Sequence, residues 1–409
     1  MRYLHDIQHA PAAASNREQA IGLNCRLIAS AAVEVEKRGR DDAIDIVEIP
    51  LYGPSTLDYD EKKLAALLEE LFLYVLVRRV EVRFRSRPIQ ESLIVDQDQP
   101  QADAVCLYSG GIDSYSGILQ AVTSHRSLVG VFCAHSDQSR MIEIVRRQEP
   151  RLRDHGLQTL IELRVPPLGA RGYIQLRGFL YVVSAGTVLS QSRASTLLVT
   201  ECGPTMFQPR FSLLDSITMT THPEVLRLAR ECLGILLMRS ILLATPHANL
   251  TKAEVMLKCP DPNGLWKTHS CISQRFGDHD GTCYGCIVRR LASTAAGIRD
   301  TRYRRNPIWD EKANGGNLLE LLRFSTNVLA NPKRLQDFQQ RSIAQFKVRD
   351  LFQRFALDNL AAIHSIRARG GKLRGSIKQM LEEVDRKHGE SILESRLTEL
   401  RKLRGAEAS

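Results

Sequence analysis

Ala104-Val-Cys-Leu-Tyr-Ser-Gly-Gly-Ile-Asp-Ser-Tyr-Ser116 decides how this chain folds. Ala104 to Tyr108 is a short apolar run of the kind that forms a buried parallel strand. It stops at Ser109-Gly110-Gly111. From Asp113 the pattern becomes helical, with Ile118, Leu119 and Val122 on one face. A strand therefore runs through a glycine turn into a helix start, where the first backbone N–H groups lack partners and the dipole favours an anion. Gly110 and Gly111 allow close approach of a phosphate, and the Ser109 and Ser114 hydroxyls add hydrogen bonds. Asp113 caps the helix or holds a magnesium ion.

Three other glycine-turn chemistries are excluded. A Walker loop needs Gly-x4-Gly-Lys-Ser/Thr, whereas the sequence Gly370-Gly371-Lys372 is followed by Leu373 and has no strand before it. The turn lacks the dinucleotide fingerprint Gly-x-Gly-x-x-Gly, and it lacks the Gly-x-Ser-x-Gly of a nucleophile elbow. It resembles instead the Ser-Gly-Gly-x-Asp-Ser loop of the PP-loop ATP pyrophosphatases. That resemblance implies a doubly wound parallel α/β sheet, ATP and Mg2+ as cofactors, and adenylation of a carbonyl or carboxylate oxygen with release of pyrophosphate.

Working outward, the core alternates. Ser127–Ala134, Gln158–Val165 and Thr196–Thr200 read as further buried strands, and Met141–His155 and Ile174–Gln191 as helices between them. Such alternation predicts a parallel sheet covered on both faces, with ligands beyond the carboxyl ends of the strands. The segments there are Ser109–Ser114, Ala134–Arg140 and Glu201–Thr205. In the second, His135, Asp137, Gln138 and Arg140 form a polar loop in which Arg140 can counter phosphate charge. In the third, Glu201 and Gly203 are candidate substrate contacts. Arg177 lies in an apolar helix and needs a partner, a nucleotide phosphate or a structural carboxylate. The loop Leu213–Pro223 is rich in hydroxyls (Ser216, Thr218, Thr220, Thr221) and carries Asp215; its His222 reads as a capping or surface residue. Thr251 and Glu254 have capping-box spacing, which puts Lys252 in a first helical turn where a cation opposes the dipole unless it serves an anion.

Cys271-x11-Cys283-x2-Cys286 has the spacing of a zinc knuckle turned by Gly285. His279 is the expected fourth ligand, since imidazole is a commoner companion of thiolates than carboxylate; Asp280, His269 and Cys259 are the other residues in reach. Four protein ligands make a structural Zn2+ site.

The flanks read as additions to this core. Residues 1–98 form a small α+β unit with helices at Asn16–Lys37 and Glu61–Arg79 and strands at Ala43–Pro50 and Val80–Arg85. Asp96–Asp103 is a polar linker before the core, whose domain is bounded at 99–300. Residues 301–409 are helical, with stripes at Asn317–Asn327, Asp337–Leu357 and Lys372–Leu403 suited to wrapping the core or to a dimer or partner surface.

Composition fits a globular protein: 409 residues, 43% hydrophobic and 25% charged, with no run of about 18 apolar residues. Met1–Asp6 lacks the apolar core of a signal peptide. Nine cysteines, mostly at apolar positions, suit a reducing cytoplasm rather than a disulfide framework. The net charge of +10 permits anionic substrates, and its wide spread makes a solvated basic surface the default, leaving tRNA or DNA contact open.

Taken together, residues 104 to 300 resemble the QueC family, which makes 7-cyano-7-deazaguanine. The shared elements are Ser109–Ser114, Gln138 with Arg140, the helix opening on Arg177, Thr251-Lys-Ala-Glu254, and Thr268-His-Ser-Cys271 followed by Gly281-Thr-Cys283-Tyr-Gly-Cys286-Ile-Val-Arg-Arg290. The resemblance implies ATP-driven activation of a 7-deazaguanine carboxylate for amide or nitrile formation. Tyr108 to Ser114 and Arg140 would hold the nucleotide, and Asp113, Ser114, Lys252 and Arg177 would serve the chemistry. Asp280 stands where the family carries a further cysteine, and the family's Asp-containing purine-binding stretch is absent. The long extensions are similar to those of the enlarged QueC-like proteins of bacterial anti-phage systems, which implies a partner protein whose amine receives the deazaguanine. A housekeeping 7-cyano-7-deazaguanine synthase of queuosine biosynthesis, a tRNA-modifying PP-loop enzyme and a non-catalytic nucleotide-binding subunit are the competing expectations.

Overall fold

The computed structural model describes residues 16–37, 45–53, 59–87, 102–135, 137–167, 175–207, 220–271, 279–332 and 347–406. The N-terminal unit runs α1 (Asn16–Lys37), β1 (Asp45–Tyr52), α2 (Glu61–Leu76) and β2 (Val80–Arg87). β1 and β2 pair in parallel, with α2 as the connection. Asp60 caps α2 by accepting from the Lys63 N–H at 3.0 Å. Leu64, Leu67, Leu68, Leu71 and Val75 form its buried stripe, as the 3.6-residue period demands.

The core follows as β3 (Ala104–Leu107), α3 (Ile112–Ser124), β4 (Leu128–His135), α4 (Ser139–Asp154), β5 (Thr159–Val165), α5 (Arg177–Ser184), α6 (Gly186–Ser190) and β6 (Thr196–Leu198). Next come α7 (Gly203–Phe207), α8 (Pro223–Leu236), β7 (Leu242–Ala244), α9 (Lys252–Leu257) and α10 (Tyr284–Ala296). The sheet has five strands, all parallel, in the order β5-β4-β3-β6-β7. The chain thus lays β3, β4 and β5 toward one edge and returns to place β6 and β7 on the other side of β3. Between β3 and β6 the winding reverses, and there the segments leaving the two strand ends diverge and open a crevice. β4 is buried at every residue, consistent with an interior parallel strand.

Three sequence expectations change. The helix expected over Ile174–Gln191 is two short helices that meet at Ala185, and residue 174 lies outside the described residues. β7 was not expected. The C-terminal stripe over Lys372–Leu403 is α13 (Gly375–His388) and α14 (Glu390–Ala406), parted by Gly389 at φ +77°. Before them lie α11 (Gly316–Ala330) and α12 (Val348–Ala368); the start expected for α12 at Asp337 falls outside the described residues, as do Asp215, Ser216, Thr218 and most of the linker.

The flanking helices pack on the core. α1 lies against α5 and α6, α2 against α8, and α12 and α14 against α10 and α9 respectively. One continuous cluster of buried apolar side chains runs from Ile21 to Leu400. No helix among the described residues is long and apolar enough to cross a membrane.

Candidate functional site

The glycine turn leaves β3 at the reversal of the sheet. Gly110 has φ +77°, a conformation that L side chains rarely adopt, and a Cβ there would meet Val145 Cγ2 at 3.0 Å. Gly111 is the N-cap of α3, and no side chain among the described residues caps that helix. Its first N–H groups are therefore the donors left for a ligand. The two serines hold the turn shut on itself: Ser114 Oγ accepts from the Ser109 N–H at 3.2 Å, lies 3.1 Å from Ser109 Oγ and reaches Gly111 O at 3.2 Å. Tyr108 and Ile112 are buried, and the Tyr108 hydroxyl donates to Gln148 Oε1 at 2.6 Å, so both offer the site main chain rather than side chain. Gln148, which nothing in the sequence marks, ties Gly110 O to Lys267 O through its amide nitrogen at 3.3 and 3.1 Å.

Charge gathers beside the turn. Asp113 sits in the first turn of α3 but does not cap it. Lys252 Nζ lies 2.7 Å from each of its carboxylate oxygens, and the Cys202 N–H donates to Oδ2 at 3.3 Å. Both side chains are largely buried. Burial alone would raise Asp113, but the Lys252 ammonium outweighs it and holds the carboxyl below its usual value. Glu201, three residues past the end of β6, is pushed up to about 7, first by burial and then by the negative Asp113. Arg177 opens α5, is half-buried, and its charge acts on Glu201 in the opposite sense. The capping box stands as expected, with Glu254 N–H donating to Thr251 Oγ1 at 3.3 Å and Thr251 N–H to Glu254 Oε2 at 2.9 Å. Lys252 is thus fixed at the N-terminus of α9, its ammonium held against Asp113.

Two buried nitrogens beside the turn have no hydrogen-bond partner among the described residues: Arg140 Nε, in the first turn of α4, and His269 Nε2. His269 is pressed against the turn, its N–H donating to Gly110 O at 2.9 Å. Burial and then the charge of Arg140 push its ring down to about 4. Unpaired buried polar atoms are costly, so both are open to a ligand.

Other expected contacts are structural. His135 is buried at the end of β4, with Nε2 2.7 Å from the Tyr181 hydroxyl and Nδ1 against Pro166 O, and burial pushes it down to about 4. His222 caps α8, as read, accepting from the Glu224 N–H at 3.3 Å, but it is buried and also bonds Tyr74 at 3.1 Å. Gly203, expected at the substrate, is a packing residue: a Cβ there would fall 2.3 Å from Ala248 O and 2.3 Å from Leu351 Cδ2.

Cys271, Asp280, Cys283 and Cys286 bring their ligand atoms within 4.8 Å of one another. The Cys271 and Cys283 sulfurs are 3.9 Å apart, close to the about 3.8 Å that tetrahedral zinc with its usual thiolate bonds imposes. The donor set and spacing suit zinc. The fourth place goes to Asp280 and not to the expected His279. His279 pairs as an isolated bridge with Tyr303 and accepts the Arg304 N–H on its carbonyl, and its Nε2 accepts from the Ser270 N–H at 3.1 Å. Its ring packs on His269 at 4.8 Å and on Tyr303 at 5.7 Å, so the imidazole is committed away from the sulfurs. Asp280 Oδ1 accepts from the Thr282 and Cys283 N–H groups at 2.7 and 3.0 Å, which fixes the carboxylate beside the sulfurs. Cys259 is buried in the core cluster instead. Hydrogen bonds from Cys283 and then Cys286 pull the Cys271 thiol down, while Cys286, bonded to both, is raised. Gly281 is required at φ +90°, where a Cβ would lie 2.0 Å from Arg305 O.

These features define an α/β protein with a charged crevice at the reversal point of a parallel sheet, and a thiol-rich group beside it that could hold a metal ion. No family model matches the chain, and no curated protein matches it.

Proposed function

We propose that the protein is a PP-loop ATP pyrophosphatase of the QueC-like kind, which adenylates the carboxylate of a 7-deazaguanine. The activated acyl group then passes to ammonia or to an amine of a partner protein, in anti-phage defence. The supporting observation is the uncapped start of α3 at a positive-φ glycine turn, flanked by the unpartnered Arg140 Nε and His269 Nε2.

In this reading the turn from Ser109 to Ser114 receives the β- and γ-phosphates on its backbone N–H groups. A carboxylate oxygen of the deazaguanine attacks the α-phosphorus, a P–O bond forms, and the bond to the bridging oxygen breaks as pyrophosphate leaves with its electron pair. Stabilising that leaving charge is the main electrostatic task, and Arg140, Arg177 and Lys252 are the cations at hand. Asp113 does not fit as a magnesium ligand, because Lys252 occupies both its oxygens. Magnesium would arrive bound to the triphosphate. An ion on Cys271, Asp280, Cys283 and Cys286 would fix Cys271, two residues after His269, and would have no part in the chemistry.

The test is ATP–pyrophosphate exchange with 7-carboxy-7-deazaguanine. Wild type should exchange label, and the pair Ser109→Ala and Ser114→Ala should lose it while remaining folded. A wild-type chain that neither binds ATP nor exchanges pyrophosphate would overturn the reading.

A further inference from the structure

The C-terminal helices bear on the crevice through one carboxylate. Glu254, the third residue of α9, accepts from Arg396 of α14 at 2.7 Å on Oε1 and is bonded by Arg354 of α12 on Oε2. Arg354 also donates to Asn249 O at 2.8 Å, just ahead of α9. Arg396 donates to Asp358 Oδ1 of α12 at 2.7 Å and is buried with both acids. Lys252 lies two residues before Glu254, in the same helical turn. α9 has only six residues, too few to hold its own geometry without outside contacts. Ionic clusters inside a protein tolerate little misfit, since each member left alone is penalised.

We infer that Arg396 and Arg354 are positioning residues of the adenylation site: by clamping Glu254 they fix the first turn of α9 and hold the Lys252 ammonium against Asp113. The C-terminal helical layer is then part of the site's machinery and not a passive cover, so displacement of α14 would switch the site off. The inference rests on the role given to Lys252 above.

The test uses the full-length chain carrying Arg396→Lys, which keeps the charge but cannot span both Glu254 and Asp358 with one planar fork. Two readouts are taken. The first is labelling of Lys252 by an amine-acylating reagent, followed by mass spectrometry; the amine should be protected in wild type and labelled several-fold faster in the variant. The second is pyrophosphate exchange, which should fall by roughly a hundredfold, the cost of an ångström-scale misplacement at a site. In a Lys252→Met background, Arg396→Lys should cause no further loss, because it acts through the missing amine. Unchanged labelling, or losses that multiply in the double variant, would overturn the clamp. Should Arg396→Lys fail to fold, Glu254→Gln loosens both arginines while still accepting from the Thr251 N–H, and the same outcomes apply. Should wild type show no exchange while labelling still rises, the clamp stands and the adenylation reading falls.

Discussion

Lys252 and Asp113 lie 139 residues apart in the chain and meet in a two-pronged contact, Nζ being 2.7 Å from each carboxylate oxygen. The pair joins the start of α9 to the start of α3 across the mouth of the sheet. It sets the charge balance of the crevice, because Glu201 answers to both members.

Asp113→Asn should therefore leave a buried ammonium without its counter-charge and destabilise the fold by about 3–5 kcal/mol. Adding Lys252→Met should restore most of that loss. Urea unfolding of the two single variants and the double variant checks the expectation.

Glu201 gives the fold a pH dependence of definite sign. Its carboxyl titrates at about 7, above its ordinary value of 4.5. Between those values the folded chain holds a proton that the unfolded chain has lost, so this group's contribution falls as pH rises through that window. Glu201→Gln should flatten that part of the profile and be the more stable form above pH 7. Thermal unfolding at a series of pH values would show it.

The metal cluster should bind one zinc ion per chain. Cys283→Ser should lose most of the affinity and Asp280→Ala should weaken it, since each removes a ligand atom, whereas His279→Ala should retain the ion. Ligand thiols must be deprotonated, so zinc should be released as pH falls. Elemental analysis and chelator competition distinguish the three variants. Retention by Asp280→Ala with loss by His279→Ala would reverse the ligand assignment.

Gly203→Ala should destabilise the protein by roughly 1–3 kcal/mol, the usual cost of forcing a methyl into a packed site, whether or not ligand is present. Denaturant titration in both conditions separates a packing residue from a substrate contact, whose effect would appear only with ligand.

The sheet was legible where a strand carries its own signal. Ala104–Leu107 and Leu128–His135 are apolar runs bounded by turns, and the glycines after the first locate the crevice. β7 was not, because three residues have no period and it exists only by pairing with β6. The break at Ala185 was not legible; Gly186 beside it is closely packed, a Cβ there meeting Cys25 Sγ and Leu233 Cδ2 at 2.6 Å, contacts that α1 and α8 bring from elsewhere. The capping box was readable because Thr251 and Glu254 are local. The Asp113–Lys252 contact, the Gln148 bridge and the Arg396 clamp join distant segments, and no pattern of spacing announces them. For the fourth ligand, the general preference for imidazole lost to a particular backbone bridge at His279.

The hydrogen bond from the His269 N–H to Gly110 O runs between the segment that leads to Cys271 and the glycine turn after β3. Coupling through such a tether would be reciprocal. Loading of the thiol-rich group with its ion and occupancy of the turn by an anion should each raise the affinity for the other by one shared factor. If the proposed function holds, chelating the ion should weaken nucleotide binding by that same factor, which calorimetry with and without chelator would read.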